Sequence, residues 1–286
     1  MSSKGDLSED ATLQAKKAAR SARPWLERLA RLGYATEGAM FTLIGLLAAG
    51  VAFGTGDHTT GQRGALELIA GSLFGGVLVG LIALGFVGYA LWRGLQAIAD
   101  PDGEGTDMRG LGKRIGYGVS ASVYAGLAFS AVGLILGSVS QGGRTPDDWT
   151  ALLLSWPLGR VLVAGIGLVV AGVGLREPYQ AYKARFLKYL KLDEMGERER
   201  KWTERWGRLG ITARGIVLGV VGTFLIRAAL EYDPQEARGL GGALQILAQQ
   251  PLGPWLLGSV ALGLIAYGLF MLSVARYHHI NSGGVR

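Results

Sequence analysis

Two charged residues, Glu37 and Arg214, stand inside runs of apolar residues. An ionisable side chain within a membrane span costs some kilocalories unless it is paired, so each is a functional candidate by default. Both lie six residues after an arginine that opens a similar stretch, Arg31-Leu32-Gly33 and Arg208-Leu209-Gly210. A third such stretch, Arg114-Ile115-Gly116, puts Ser120 at that position. Six residues of helix is roughly 9 Å of depth. With three copies around an axis and this face inward, Glu37 and Arg214 would meet as carboxylate and guanidinium, and Ser120 would donate a hydrogen bond. Such a group would suit binding or passage of a small ion. Its structural counterparts are a clamp that fixes which helices meet, and two side chains snorkelling separately to headgroups.

The elements that hold these residues are repeated. The openings recur at offsets of 83 and 177, and a second landmark, Gly75, Gly159 and Gly253, at 84 and 178. The chain divides into a polar and basic N-terminal segment (1–24), repeat 1 (25–100), repeat 2 (111–182), a charged linker (183–207), repeat 3 (208–278) and a tail (279–286). Apolar runs at about 33–53, 76–98, 115–137, 159–176, 210–230 and 254–275 mostly reach the roughly 20 residues a spanning helix needs. Before each second run lies a short apolar piece: Ala65–Ala70, Trp149–Leu154 and Ala243–Ala248. Each is too short to span, and is expected as a helix of about two turns in the outer interface; re-entrant placement is the alternative. The fold class is an all-α integral membrane protein. Its six transmembrane helices form three parallel two-helix repeats with pseudo-threefold symmetry, the first helix of each nearest the axis.

Charge orients the chain. About 23 of the 29 Lys and Arg fall at the end holding both termini and the connections between repeats. Positive residues mark the cytoplasmic side, so this is a multi-pass protein of the inner (plasma) membrane with both termini cytoplasmic. Arg31, Arg114 and Arg208 are inner-interface anchors, and Trp25, Trp92, Trp202 and Trp206 fall at the same end. The linker from Tyr179 to Lys191 reads as a basic amphipathic helix on the inner leaflet, and Glu194–Arg205 as a solvated helix or connector. Lipid bilayer, with anionic lipids at the cytoplasmic face, is the expected partner, with a second membrane protein or another copy of the chain beside it.

Other chemistries lack residues. The chain has no Cys, and its three His lie in two places, His58 and His278-His279, without acidic residues at ligand spacing. No Ser or His has a nucleophile context. No catalytic, cofactor-binding or metal residues are assigned. The net charge of +7 sits beside spans, which points to lipid and topology and away from nucleic acid.

The Arg-Leu-Gly-type opening, the Gly-Ala-Leu-x-x-Leu-Ala-x-x-Pro-x-Gly stretch at Gly242–Gly253 and the Gly-Leu-x-x-Tyr-Gly-Leu at Gly263–Leu269 resemble a bacterial membrane-protein family. It is known as domain of unknown function 1206 and defined by three two-helix transmembrane repeats. The resemblance covers about 25–278. Repeat 1 departs with Leu73 where the others have Pro, and repeat 2 with Val173 where the others have Tyr89 and Tyr267. It implies the architecture and carries no site residues. The expected function is a non-enzymatic inner-membrane scaffold or accessory protein. The alternatives are a small-ion or small-solute channel or transporter along the repeat axis, or a lipid-binding membrane protein.

Overall fold

A segment in hydrocarbon must satisfy its own backbone hydrogen bonds, and a lone apolar run can do so only as a helix. The computed structural model describes residues 28, 30–56, 58–100, 105–137 and 146–277; segments 1–24 and 279–286 lie outside them. Its helices are α1 (Ala30–Ala52), α2 (Gln62–Ala70), α3 (Gly75–Ala99), α4 (Met108–Ile135), α5 (Pro146–Leu154), α6 (Gly159–Tyr182), α7 (Glu197–Glu231), α8 (Leu240–Ala248) and α9 (Gly253–Tyr277). Six of these, all but α2, α5 and α8, are long and apolar enough to cross a membrane. The order long–short–long occurs three times, one unit per repeat.

The three short helices are alike because the same break follows each. The backbone N–H of Gly75, Gly159 and Gly253 donates to Ser72, Trp156 and Gln250 at 2.9, 2.9 and 2.7 Å. A Cβ on any of these glycines would collide with a carbonyl of the preceding short helix, Ala70, Leu153 or Ala248. Repeat 1 makes this turn with Leu73 where repeats 2 and 3 have Pro157 and Pro251, so the glycine is the constant requirement of the three.

The long helices follow one another around the axis in chain order: α1, α3, α4, α6, α7, α9, and back to α1. Between units, α3 packs on α4, α6 on α7, and α9 on α1, where Gly38 faces Gly268. Within unit 1, α1 crosses α3 at Gly33, where a Cβ would stand 2.6 Å from that of Tyr89. Within unit 3, Gly210 meets Tyr267 in the same way. In unit 2 the crossing is absent: α4 and α6 scarcely touch, and Gly116 has nothing within 4 Å of where its Cβ would be. The core accordingly sits in units 1 and 3. The most apolar stretch of α9 is 61% buried, and those of α4 and α6 only 17% and 22%.

Three expectations are corrected. The fourth apolar run does not end its helix at residue 176, because α6 continues through Pro178 to Tyr182. The linker does not form an amphipathic helix lying apart on the leaflet. It leaves α6 through Ala184 in the left-handed region (φ 48°) and folds as 3-10 turns, Arg185–Tyr189 and Leu192–Glu194, against the bundle. Phe186 packs edge-on against Phe270 at 5.0 Å, and the Lys191 N–H donates to the Tyr277 carbonyl at 2.9 Å. Trp92, expected at the interface, is buried, and its indole N–H donates to Tyr34 Oη at 3.1 Å. The charged stretch from Glu197 is the first part of the 35-residue α7. That helix is about 52 Å long and projects beyond a hydrocarbon core of about 30 Å.

The unequal crossings make a test. Gly33→Val and Gly210→Val should each destabilise the fold by about 1–3 kcal/mol, the usual cost of overpacking. Gly116→Val should be neutral. Thermal unfolding of the purified variants followed by size exclusion reads the difference.

Candidate functional site

The position six residues past each opening behaves differently in the three copies. Glu37 is buried, 1% exposed, and its Oε1 accepts from Tyr267 Oη at 3.0 Å. Tyr124 of α4 stands beside the same carboxylate, whose Oε2 has no hydrogen-bond partner. Arg214 does not pair with Glu37. It makes a short hydrogen-bonded ion pair with Glu177 of α6, and its guanidinium lies over the Tyr267 ring at 5.3 Å. Ser120 is half-buried on α4 and does not line the cavity described below.

Two residues complete the group. Arg93 of α3 makes no ion pair with a carboxylate among the described residues. Its Nη1 donates to Gln96 Oε1 at 3.1 Å and its Nη2 to Tyr89 Oη at 2.5 Å. Its guanidinium lies among the rings of Tyr34, Tyr89 and Tyr117, at 6.0, 4.8 and 5.2 Å. Glu37, Arg93, Glu177 and Arg214 are near enough that each charge is felt by others of the set. Two acids and two bases therefore share one region: Glu37, Arg93 and Glu177 lie roughly 8–10 Å in from the basic ends of their helices, and Arg214 meets them about 26 Å along the longer α7.

Arg93 and Glu177 did not enter the sequence-based site, although the signal was present. They are separated by 84 residues, the repeat offset of the second helices, and Met271 is the third equivalent. Arg93 stands near the inner end of the second apolar run, and Glu177 just beyond the fourth, which stops reading as apolar at Arg176.

Arg93, Glu177 and Arg214 line a partly open cavity of about 250 Å³ at the basic end of the axis. Its wall is built from repeat-equivalent residues in three tiers: Tyr34, Tyr117 and Ile211; Arg93, Glu177 and Met271; Gln96, Gln180 and Val274. Most of the lining comes from second helices, which corrects the expectation that the first helices sit nearest the axis. Units 1 and 2 supply hydroxyl, charge and amide; unit 3 supplies Ile, Met and Val in the same tiers. Arg214, Tyr267 and Phe270 also line the space, as do Phe186, Tyr189 and Leu190 of the linker. Arg93 Nε and Glu177 Oε2 are buried without a hydrogen-bond partner. Buried polar atoms in proteins are normally satisfied, so each unmet atom calls for a partner such as water or a ligand.

The three anchors differ from one another. Arg114 Nε and Nη2 donate to the carbonyls of Ala97 and Ile98 at 2.8 and 2.7 Å and so cap the C-terminus of α3. Such a cation also suits the negative end of the helix. Arg208 pairs with Glu204 one turn back at 2.7 Å, and Arg31 is exposed.

Comparison with known proteins agrees with the triplication. The family model described as "Domain of Unknown Function (DUF1206)" matches three times, at residues 32–100, 115–186 and 209–278. The chain is also similar to the "Uncharacterized protein YxxB" of Bacillus subtilis (strain 168), 36% identical over 260 residues, which is 90% of this chain and 93% of that protein. No solved structure matches.

Breaking a buried ion pair by removing one partner typically costs about 3–5 kcal/mol, because the other charge is left uncompensated. This pair is part-buried, with Arg214 27% exposed, so Glu177→Gln should lower stability by less than that amount, and Glu177→Gln/Arg214→Met by much less than the sum of the single changes. A double-mutant cycle on thermal or denaturant unfolding measures the coupling.

Proposed function

The chain belongs to the three-repeat family of the Domain of Unknown Function (DUF1206), and we propose that its job is to bind a small charged molecule in the axial chamber. The observation that carries this reading is the wall itself: three tiers of repeat-equivalent side chains surround one cavity, with a guanidinium and a carboxylate atom left unpartnered in it. A structural clamp needs neither space nor unmet polar atoms. The volume of about 250 Å³ lies just below the usual range for ligand pockets, roughly 300–1,000 Å³, so the ligand is small or only partly enclosed.

Binding here works by charge and hydrogen bonding. Arg93 offers a guanidinium without a carboxylate partner among the described residues, held rigid by Tyr89 and Gln96. Glu177 and Arg214 set the opposite wall, and Gln96 and Gln180 supply amides at the next level. The reading is non-enzymatic, and it serves either transport or an accessory role. A scaffold role of the protein in the inner membrane, with the basic end cytoplasmic, is compatible with a ligand that regulates assembly. The excess of Lys and Arg at that end supports the orientation.

Because the chain has no cysteine, introduced ones report cleanly. Gln96→Cys and Gln180→Cys should react with small charged thiol reagents, and Lys191→Cys with an impermeant one only from the cytoplasmic side of vesicles. Acetate, inorganic phosphate and glycerol phosphate form the first ligand panel. One of them should stabilise the wild-type protein, by about 2.7 kcal/mol at a hundredfold excess over its Kd, and fail to stabilise Arg93→Gln. Unreactive cysteines together with no stabilisation would leave the scaffold role without a ligand.

A further inference from the structure

We infer that the open side of unit 2, between α4 and α6, is a lateral doorway for an anionic membrane lipid, whose headgroup enters the chamber while one acyl chain lies in the seam. This rests on the chamber being a binding site, and specifies what it binds.

The seam is defined by positions that are buried in two copies and exposed in the third. Thr36 and Ala213 are 7% and 6% exposed, and their equivalent Val119 is 50%. Met40 and Val217 are 2% and 1% exposed, and Val123 is 54%. On the facing helix Tyr89 and Tyr267 are 1% and 4% exposed, and Val173 is 40%. The cause is in the side chains. Units 1 and 3 place a glycine opposite a small residue, Gly85 against Thr36 and Gly263 against Ala213, so the backbones come close. Unit 2 has Val169 where the other copies have that glycine, and Val169 and Val119 are 56% and 50% exposed. Gly33 and Gly210 stand against the Cα and Cβ of Tyr89 and Tyr267, whereas nothing of Val173 comes within 4 Å of where a Cβ on Gly116 would be.

The seam leads into the chamber. Tyr117 follows Gly116 on α4, Glu177 lies one turn beyond Val173 on α6, and both line the cavity. Since α4 and α6 are spanning helices, the medium at the opening is lipid. Valines flank the path, and Arg93, with its unpartnered Nε and no ion pair among the described residues, stands at its end. Apolar flanks that end on an available cation match an anionic headgroup carried on an acyl chain. The apolar third of the chamber wall, Ile211, Met271 and Val274, suits the glycerol and first methylenes.

The test uses the full chain in nanodiscs of phosphatidylcholine, with and without phosphatidylglycerol, followed by a detergent wash and mass spectrometry of retained lipid. Wild type should retain one phosphatidylglycerol. Arg93→Gln should lose it by about tenfold or more, as expected for removing the partner of a buried charge. Val119→Ala/Val169→Gly/Val173→Tyr rebuilds in unit 2 the crossing of unit 3 and should lose it equally; Val123→Trp, which fills the seam without altering its other residues, is the second sealing variant if the triple does not fold. Retention unchanged in the sealed variants but lost in Arg93→Gln overturns the doorway and leaves the chamber as a site filled from water. Retention lost on sealing but unchanged in Arg93→Gln places the lipid in the seam alone, which overturns headgroup entry. No retention by wild type overturns the inference, while the soluble-anion panel still decides whether the chamber binds. A dimer that is lost on sealing shows a second copy in the seam, and also overturns it.

Discussion

The structure depends on getting four charges into the spanning part of a six-helix ring. Glu37, Arg93, Glu177 and Arg214 come from four different long helices, α1, α3, α6 and α7. None can be placed there alone, because an isolated charge in hydrocarbon costs several kilocalories. Their neutral sum, and the direct Arg214–Glu177 pair in particular, holds units 2 and 3 at a fixed relative depth. The aromatic rings serve the same end. Tyr89 and Tyr267 each fill an inter-helix crossing with the ring and offer a hydroxyl to a charge, Tyr89 to Arg93 and Tyr267 to Glu37.

The repeat explains why the charges sit together. Triplication creates sets of equivalent positions at one level around an axis, so a charge arising in one copy faces two positions able to answer it. Here the answers crossed between the two helix types: the first-helix position carries Glu37, Ser120 and Arg214, and the second-helix position carries Arg93, Glu177 and Met271. Arg214 is compensated by the second helix of the preceding unit. That neighbour, α6, packs directly on α7, whereas Glu37 lies on α1, beyond α9 in the ring. Reach therefore decides the pairing.

The architecture was legible in the sequence because apolar length and repeat spacing are local properties. The three short helices and their glycine breaks could be read directly, and the break at Leu73 shows why: glycine carries the turn. The site was half legible. Glu37 and Arg214 were found since a charge within an apolar run stands out. Arg93 and Glu177 were not, because they stand where hydropathy fades toward the helix ends, and run length cannot show that α6 continues through Pro178. The linker misread for a related reason. Its alternation of basic and aromatic residues has the look of a surface helix, but Phe186 and Leu190 are apolar contacts for the bundle, and Lys191 is bonded through its backbone to the end of α9.

Unit 2 shows what divergence among repeats can do. In a ring of three equal units every crossing closes, and the axis is sealed from lipid on all sides. The changes that open unit 2 are small: Val169 where the other copies have glycine, Val119 where they have Thr36 and Ala213, and Val173 where they have tyrosine. They cost packing locally, since Val169 stands where Gly85 and Gly263 let the two backbones come close in the other copies. The remaining contacts of α4 with α3 and of α6 with α7 keep both helices in the ring. Stability is thus concentrated in units 1 and 3 and at the joints between units, which leaves the α4–α6 face free to be shaped by something other than the fold. The same division appears in the three tiers of the chamber wall, where unit 3 supplies Ile211, Met271 and Val274 and units 1 and 2 the polar groups, although unit 3 adds Arg214 and Tyr267 beside them. The most buried copy holds the structure together, and the least buried copy exposes the way in.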